Sequence, residues 1–359
     1  MFTIQNTHMK SKLLAIVLMY GLNTIAFAGF EDGLSAYKSR NYALALREWM
    51  PLADRGDALT QYNLGVMYKS GQGVTQDYKQ AADWYRKAAE QGFANAQYTL
   101  GVMYRSGLGV PLDHEKSIDW FRKAAEQGDF RAQGTLGEMY ALGENVPQDY
   151  ERSVEWFRKA AVQGDAGAQY NLGVAYDRGQ GLPQEYQLAV EWYQRSAEQG
   201  NAIAQYNLGV KYESGQGVLQ DYSQAVDWYQ KAALQGYVKA QYNLGGMYQR
   251  GEGVPLDNRQ AVVWFRKAAE QGLANAQTNL GVAYSNGSGV PKNRVVAYAL
   301  FALSAAKDPS GGNSATKNRE MLAKEMTANE INVADSLMQE MSKPMNLLNV
   351  LDKYVNHGL

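Results

Sequence analysis

Seven glycines, Gly65, Gly101, Gly137, Gly173, Gly209, Gly245 and Gly281, stand at a constant step of 36 residues. Tyr68, Tyr104, Tyr140, Tyr176, Tyr212, Tyr248 and Tyr284 keep the same step. So do six of the seven tryptophans, Trp84, Trp120, Trp156, Trp192, Trp228 and Trp264. Alanine-glutamine pairs recur in phase at Ala96-Gln97, Ala132-Gln133, Ala168-Gln169, Ala204-Gln205, Ala240-Gln241 and Ala276-Gln277, and Thr60-Gln61 opens the series. No insertion or deletion disturbs the period. A chain this regular is an array of small units, none of which can bury its own apolar face, so that neighbours must stack to make a core.

Each unit reads as two helices. Leu64, Gly65 and Tyr68 share one face of the first at helical spacing. A glycine inside a helix costs about 1 kcal/mol relative to alanine, so its recurrence at one place predicts close approach by a neighbouring helix. Gly71 and Gly73 end that helix, where a left-handed residue can satisfy the last carbonyls. Prolines such as Pro111, Pro147, Pro183, Pro255 and Pro291 bar its continuation. Asp77, Asp113, Asp149, Asp221 and Asp257 then stand where a side chain would accept hydrogen bonds from the free amides opening the second helix. Ala81, Trp84, Tyr85, Ala88 and Ala89 form its buried face. The tryptophan column therefore reads as core, and the G-x-G loops as helix terminators, since a phosphate loop would need a preceding strand.

The motifs A-Q-Y-N-L-G-V-M-Y, G-x-G-V and A-x-x-W-Y/F-x-K-A-A-x-Q-G resemble those of the Sel1-like repeat family, relatives of the tetratricopeptide repeats. The resemblance implies an all-α fold, a right-handed α/α solenoid of Sel1-like helix pairs. It divides the chain into residues 1–28, an N-terminal tetratricopeptide-like capping pair at 29–56, seven repeats at 57–308, and C-terminal capping helices with a tail at 309–359. The spacing from Gly33 to Ala45 is four residues shorter than from Gly65 to Ala81, which is the tetratricopeptide loop length. Departures mark the third unit, with Gly143-Glu144-Asn145 and Gly134, and the seventh, with Leu300 for tryptophan. Beyond them, helices are predicted near 314–326 and 328–341, the second opened by a capping box at Thr327–Glu330. Whether Leu347, Leu348, Val350 and Leu351 dock is left open by the sequence.

Family members act as scaffolds or adaptors, and exported bacterial ones are associated with envelope regulation, polysaccharide secretion and host interaction. The resemblance thus implies protein or peptide partners, held on the concave face by solvent-facing positions of the first helices. Carried onto this sequence, these are Tyr62, Asn63 and Lys69; Tyr98 and Arg105; Tyr170, Asn171 and Asp177; Tyr206, Asn207 and Glu213; and Tyr242 and Asn243. An amide donates and accepts at once, which suits a peptide main chain, and tyrosine joins an apolar ring to a hydroxyl. The same columns could instead pack adjacent helices together.

Composition narrows the function classes. The net charge is −1 over 359 residues, so neither nucleic acid nor an anionic membrane surface is expected as a partner. There is no cysteine, and His8, His114 and His357 are scattered. No metal site, cofactor or catalytic residue is expected; a symmetry-breaking cluster of Glu138, Glu144 and His114 is the one enzyme alternative, and an inert spacer the other. A β-lactam-binding or hydrolysing activity, associated with a cysteine-rich branch of the family, transfers poorly to a chain without cysteines. Lys10 and Lys12, the apolar run Leu13 to Tyr20 and Ala26-Phe27-Ala28 have the form of a secretory signal. Cleavage after Ala28 is expected, with periplasmic or secreted localisation and no stable membrane insertion. Met9 is an alternative start. Loss of the two lysines takes the charge from −1 to −3.

Overall fold

The computed structural model describes residues 29–307 and 314–357; the expected signal segment lies outside them. Every described element is an α-helix or the turn between two. The chain divides into two compact units, residues 1–168 and 169–359. In the first, a helix at 29–38 and Tyr42–Asp54 precede three helix pairs: Ala58–Ser70 with Tyr78–Glu90, Ala94–Ser106 with His114–Glu126, and Phe130–Leu142 with Tyr150–Val162. Ala166–Arg178, Ala202–Ser214, Val238–Arg250 and Ala274–Asn286 are the first helices of repeats four to seven. Their partners are Tyr186–Glu198, Tyr222–Leu234, Asn258–Glu270 and Arg294–Lys307. Three further helices follow, Ala315–Ala323, Ala328–Met341 and Leu347–His357.

The local chemistry accounts for these bounds. Asp77 accepts from the amides of Lys79 and Gln80 at 2.9 and 3.0 Å, and Asp113, Asp149, Asp221 and Asp257 do the same work in their repeats, while Glu185 in repeat four makes no side-chain cap bond. Gly71 ends its helix at φ 69° and returns its amide to the Met67 carbonyl. In repeat three Asn145 replaces the second loop glycine and takes φ 59°, a conformation asparagine tolerates better than most residues. Thr327 and Glu330 form the reciprocal capping box.

The core lies between successive pairs. One cluster joins Ala81, Ala82, Tyr85, Ala88 and Ala89 of repeat one to Ala96, Leu100 and Met103 of repeat two. In the second unit, Ala189, Val190, Tyr193 and Ala197 likewise meet Ala204 and Leu208. No repeat closes its own core, which is the physical reason for the array. A Cβ on Gly65 would stand 2.6 Å from the Tyr85 ring, and at Gly137, Gly209 and Gly281 a Cβ would come within 2.5–2.7 Å of Phe157, Tyr229 and Phe301. The recurring glycine is the seat for an aromatic ring of its own repeat's second helix.

That seat corrects the reading of the tryptophans. The innermost aromatic is the residue after each tryptophan: Tyr85, Phe121, Tyr193, Tyr229 and Phe265 are at most 1% exposed. Trp84, Trp120, Trp156 and Trp192 are only half-buried, and just Trp228 and Trp264 are buried. A cation one turn later lies over each indole, as with Lys87 on Trp84 at 3.8 Å and Arg195 on Trp192 at 4.5 Å. Two neighbouring residues both fall on a broad helical stripe, and periodicity alone does not rank them. Trp49 occupies the register of Tyr85, against Gly33, rather than that of Trp84.

The tail docks. Leu347 and Leu351 are 2% and 0% exposed in a cluster with Leu300, Leu303, Leu337 and Met341. The Leu348 amide donates to Glu270 at 2.7 Å, and Arg266 pairs with Asp352. Covered in this way, the tryptophan position of repeat seven is lined with apolar neighbours and carries Leu300, fully buried.

Candidate functional site

Glutamine organises the first helices. Gln97 donates its amide to the Ala89 carbonyl of the preceding repeat at 3.1 Å and accepts from Gln127 of its own second helix at 2.6 Å. Gln61, Gln133, Gln205 and Gln241 repeat both bonds. Each is a buried clamp joining three helices, and leaving such a group unsatisfied costs about 1–3 kcal/mol. At Gln277 the acceptor atom has no partner: Lys307 stands where the next clamp glutamine would be, and bonds to Gly272 instead. The clamp column thus ends with the last repeat.

On helices held this way, the tyrosine column is half-buried. Tyr62 rests on Tyr85 and Phe93 with ring centroids 5.5 and 5.3 Å apart. Tyr98 rests on Phe121, with Arg131 over it at 4.5 Å. In the second unit Tyr170 lies on Tyr193, Tyr206 on Tyr229 and Tyr237, and Tyr242 on Phe265. Burial pushes the Tyr206 phenol above its ordinary range. The two readings of this column therefore meet in one geometry: each ring packs on a core aromatic and leaves its remainder to solvent.

The asparagines are half-buried as well. Among the described residues, no side chain or carbonyl takes the amides of Asn63, Asn171 or Asn207. Asn243 differs, lying within hydrogen-bonding reach of the Tyr206 and Tyr229 hydroxyls. Thr99 and Thr135, which fill this column in repeats two and three, turn their hydroxyls back to Asn95 and Arg131 carbonyls at 2.8 and 2.9 Å.

The charged column differs between the units. Lys69 and Arg105 are exposed, and neither has an acidic partner among the described residues. Asp177 and Glu213 are engaged internally. Asp177 pairs with Lys211 and accepts from the Tyr193 hydroxyl at 3.3 Å. Glu213 accepts from Tyr229 at 2.5 Å and pairs with Arg250 at 3.4 Å. Burial first, and then these carboxylates, push the Tyr193 and Tyr229 phenols well above their ordinary range. Lys211 is 4% exposed and also donates to Gln216 at 2.5 Å. Sequence reasoning passed over it, although it is the one charged residue in a column otherwise held by Met67, Met103, Met139 and Met247 and by Ala175 and Ala283.

Glu138 and Glu144 of repeat three and His114 of repeat two form no metal-holding cluster. His114 opens a second helix, and its Nδ1 is buried without a hydrogen-bond partner. Among the described residues, no three histidine, aspartate or glutamate side chains could hold a metal ion, and no helix is long and apolar enough to cross a membrane.

Stacked helix pairs, buried glutamine clamps and surface rows of tyrosine and asparagine define an α/α repeat protein of the tetratricopeptide-like class. The Sel1 repeat model matches residues 58–93, 94–129, 131–165, 166–201, 202–237, 238–273 and 274–309. The chain therefore belongs to the Sel1 repeat family, whose helical stacks generally serve protein interaction. It is similar to a Sel1 repeat protein from Oxalobacter formigenes, with 38% identity over 67% of this chain and 99% of that one, at a TM-score of 0.60. It also matches a protective antigen of uropathogenic Escherichia coli displaying an SLR fold, 31% identical over 92% of this chain and 87% of that one, at a TM-score of 0.47. No curated protein matches.

Proposed function

We propose that this protein is exported, and that in the periplasm or beyond it serves as a scaffold holding an extended segment of a partner protein against its first helices. The observation that carries this reading is the row Tyr170–Asn171, Tyr206–Asn207 and Tyr242–Asn243 of the second unit. Its rings are braced from behind by core aromatics, and two of its three amides are uncommitted. Side chains fixed before binding lose little conformational entropy on binding. Aromatic anchors beside free amides suit an extended peptide, whose main chain offers alternating donors and acceptors. No residue is assigned a catalytic role.

A photocrosslinking amino acid at position 207, in cells, should trap a discrete partner, whereas the same group at exposed Glu198 should not. With the partner in hand, the triple change Asn171→Ala, Asn207→Ala, Asn243→Ala should weaken binding by about a hundredfold or more at about 1–3 kcal/mol per lost bond. Thermal melts of the variant must first match the parent, because Asn243 also touches two phenols. Unchanged affinity in a normally folded variant would refute the scaffold surface. Export is checked separately, by finding Gly29 as the amino terminus of the native protein.

A further inference from the structure

The charged column separates the two units chemically. In the second unit its acids are already engaged: Asp177 pairs with Lys211, and Glu213 shares Arg250 with Glu252, which holds the guanidinium closer at 2.6 Å. In the first unit Lys69 and Arg105 are exposed and unpaired among the described residues. Arg105 lies 6.0 Å from the Phe121 ring centroid, so its nearest interaction is an aromatic face and not a carboxylate. The third cation on these helices, Arg131, is neutralised by Asp129, whose side chain is 5% exposed. Beside the two free cations stand Tyr62, braced on Tyr85, and Tyr98, which rests on Phe121 and carries the Arg131 guanidinium over its ring. Repeat three ends the stretch: Gly134 replaces the tyrosine, Ala141 replaces the cation, and Glu138 adds a carboxylate.

We propose that the first helices of repeats one and two form a short site for an acidic peptide segment, one whose carboxylates meet Lys69 and Arg105 and whose apolar groups rest on Tyr62. This deepens the scaffold reading and rests on it. An exposed cation is already well solvated, so a single pair adds little. Two cations beside a fixed ring select the sign of the partner and steer its approach, a contribution that salt screens beyond about 8 Å at physiological ionic strength. An acidic segment is accepted here and a basic one repelled, whereas the same column of the second unit offers acids with their cations already engaged and so no such attraction.

The test uses the full mature chain and two short labelled peptides of the same length, in which glutamate or lysine alternates with phenylalanine and threonine. Fluorescence anisotropy at low salt should show binding of the glutamate peptide, weakening as salt is added, and no comparable binding of the lysine peptide. The double change Lys69→Glu, Arg105→Glu alters two exposed side chains and should leave the melt unchanged while lowering affinity for the glutamate peptide about tenfold or more. Removing a charge from the exposed surface of the second unit, Glu198→Gln, should leave that affinity where it was. Failure of the glutamate peptide to bind, equal binding of the lysine peptide, or indifference to the charge reversal overturns the proposal. Continued photocrosslinking from position 207 in that event would leave the scaffold reading standing, so the two can fail separately.

Discussion

Gly209→Ala should destabilise the protein, although alanine is the better helix former. Two effects oppose one another. Within Ala202–Ser214, replacing glycine by alanine favours the helix by about 1 kcal/mol. The new Cβ, however, would stand 2.7 Å from both Cδ1 and Cε1 of Tyr229. That ring is 0% exposed, and its hydroxyl is held by Glu213 at 2.5 Å, so it cannot swing aside. Overpacking of this kind costs about 1–3 kcal/mol. Taken at its upper end against the helix gain, the net loss is about 2 kcal/mol. Gly134→Ala is the matched control, because there the nearest atom to a new Cβ is Asp165 Oδ1 at 3.9 Å. Only the helix term remains, and stability should rise by up to about 1 kcal/mol. Urea unfolding followed by circular dichroism, with the m value checked for constancy, measures both. Tyr229→Leu in the Gly209→Ala background should cost less than in the parent, a coupling of about 0.5–3 kcal/mol. The same sign for both glycine variants, or strict additivity in the double variant, would refute the ring-seat argument.

Other outcomes follow from the same geometry. Phe121→Ala, at a fully buried ring, should cost about 3–5 kcal/mol, and Trp120→Ala clearly less, in paired denaturation experiments. Asp177→Ala strands the buried Lys211 and should cost about 3–5 kcal/mol, whereas the double change Asp177→Ala, Lys211→Met removes both charges and should be near neutral or stabilising; equal losses would contradict this. The raised phenols of Tyr85, Tyr193 and Tyr229 stay protonated in the folded chain after the unfolded chain has ionised. Their contribution is complete below about pH 10, the ordinary phenol value, and is lost as pH rises past it. The urea midpoint should therefore fall between about pH 8 and pH 11.

Much of the candidate surface could be read in advance only as alternatives. That Tyr62 and Asn63 stand on exposed parts of a first helix follows from spacing. That the tyrosine packs and is exposed at once depends on Tyr85, twenty-three residues along, rising beneath it. The charges show the limit more sharply. Lys69, Arg105, Asp177 and Glu213 share one column and look equivalent as a row of surface charges. Lys211 and Arg250, supplied by the following repeats, engage the acids, Arg250 being shared with Glu252, while Lys69 and Arg105 meet no acid among the described residues.

By itself the sequence determined whatever depends on distance along the chain: the 36-residue period, the helix pairs, the aspartate caps and the glycine stops. These are local, set by backbone hydrogen bonding within a few residues. Tertiary structure decided which of two adjacent aromatics is core, because only the approach of the Gly65 column makes room for Tyr85 rather than Trp84. It decided the glutamine clamps, the buried Lys211 and the docking of the tail on Arg266 and Glu270. Apart from the Gln97–Ala89 bond, eight residues apart, these pairings join residues 30 to 86 apart, and a repeat period states which positions are equivalent without stating which ones meet.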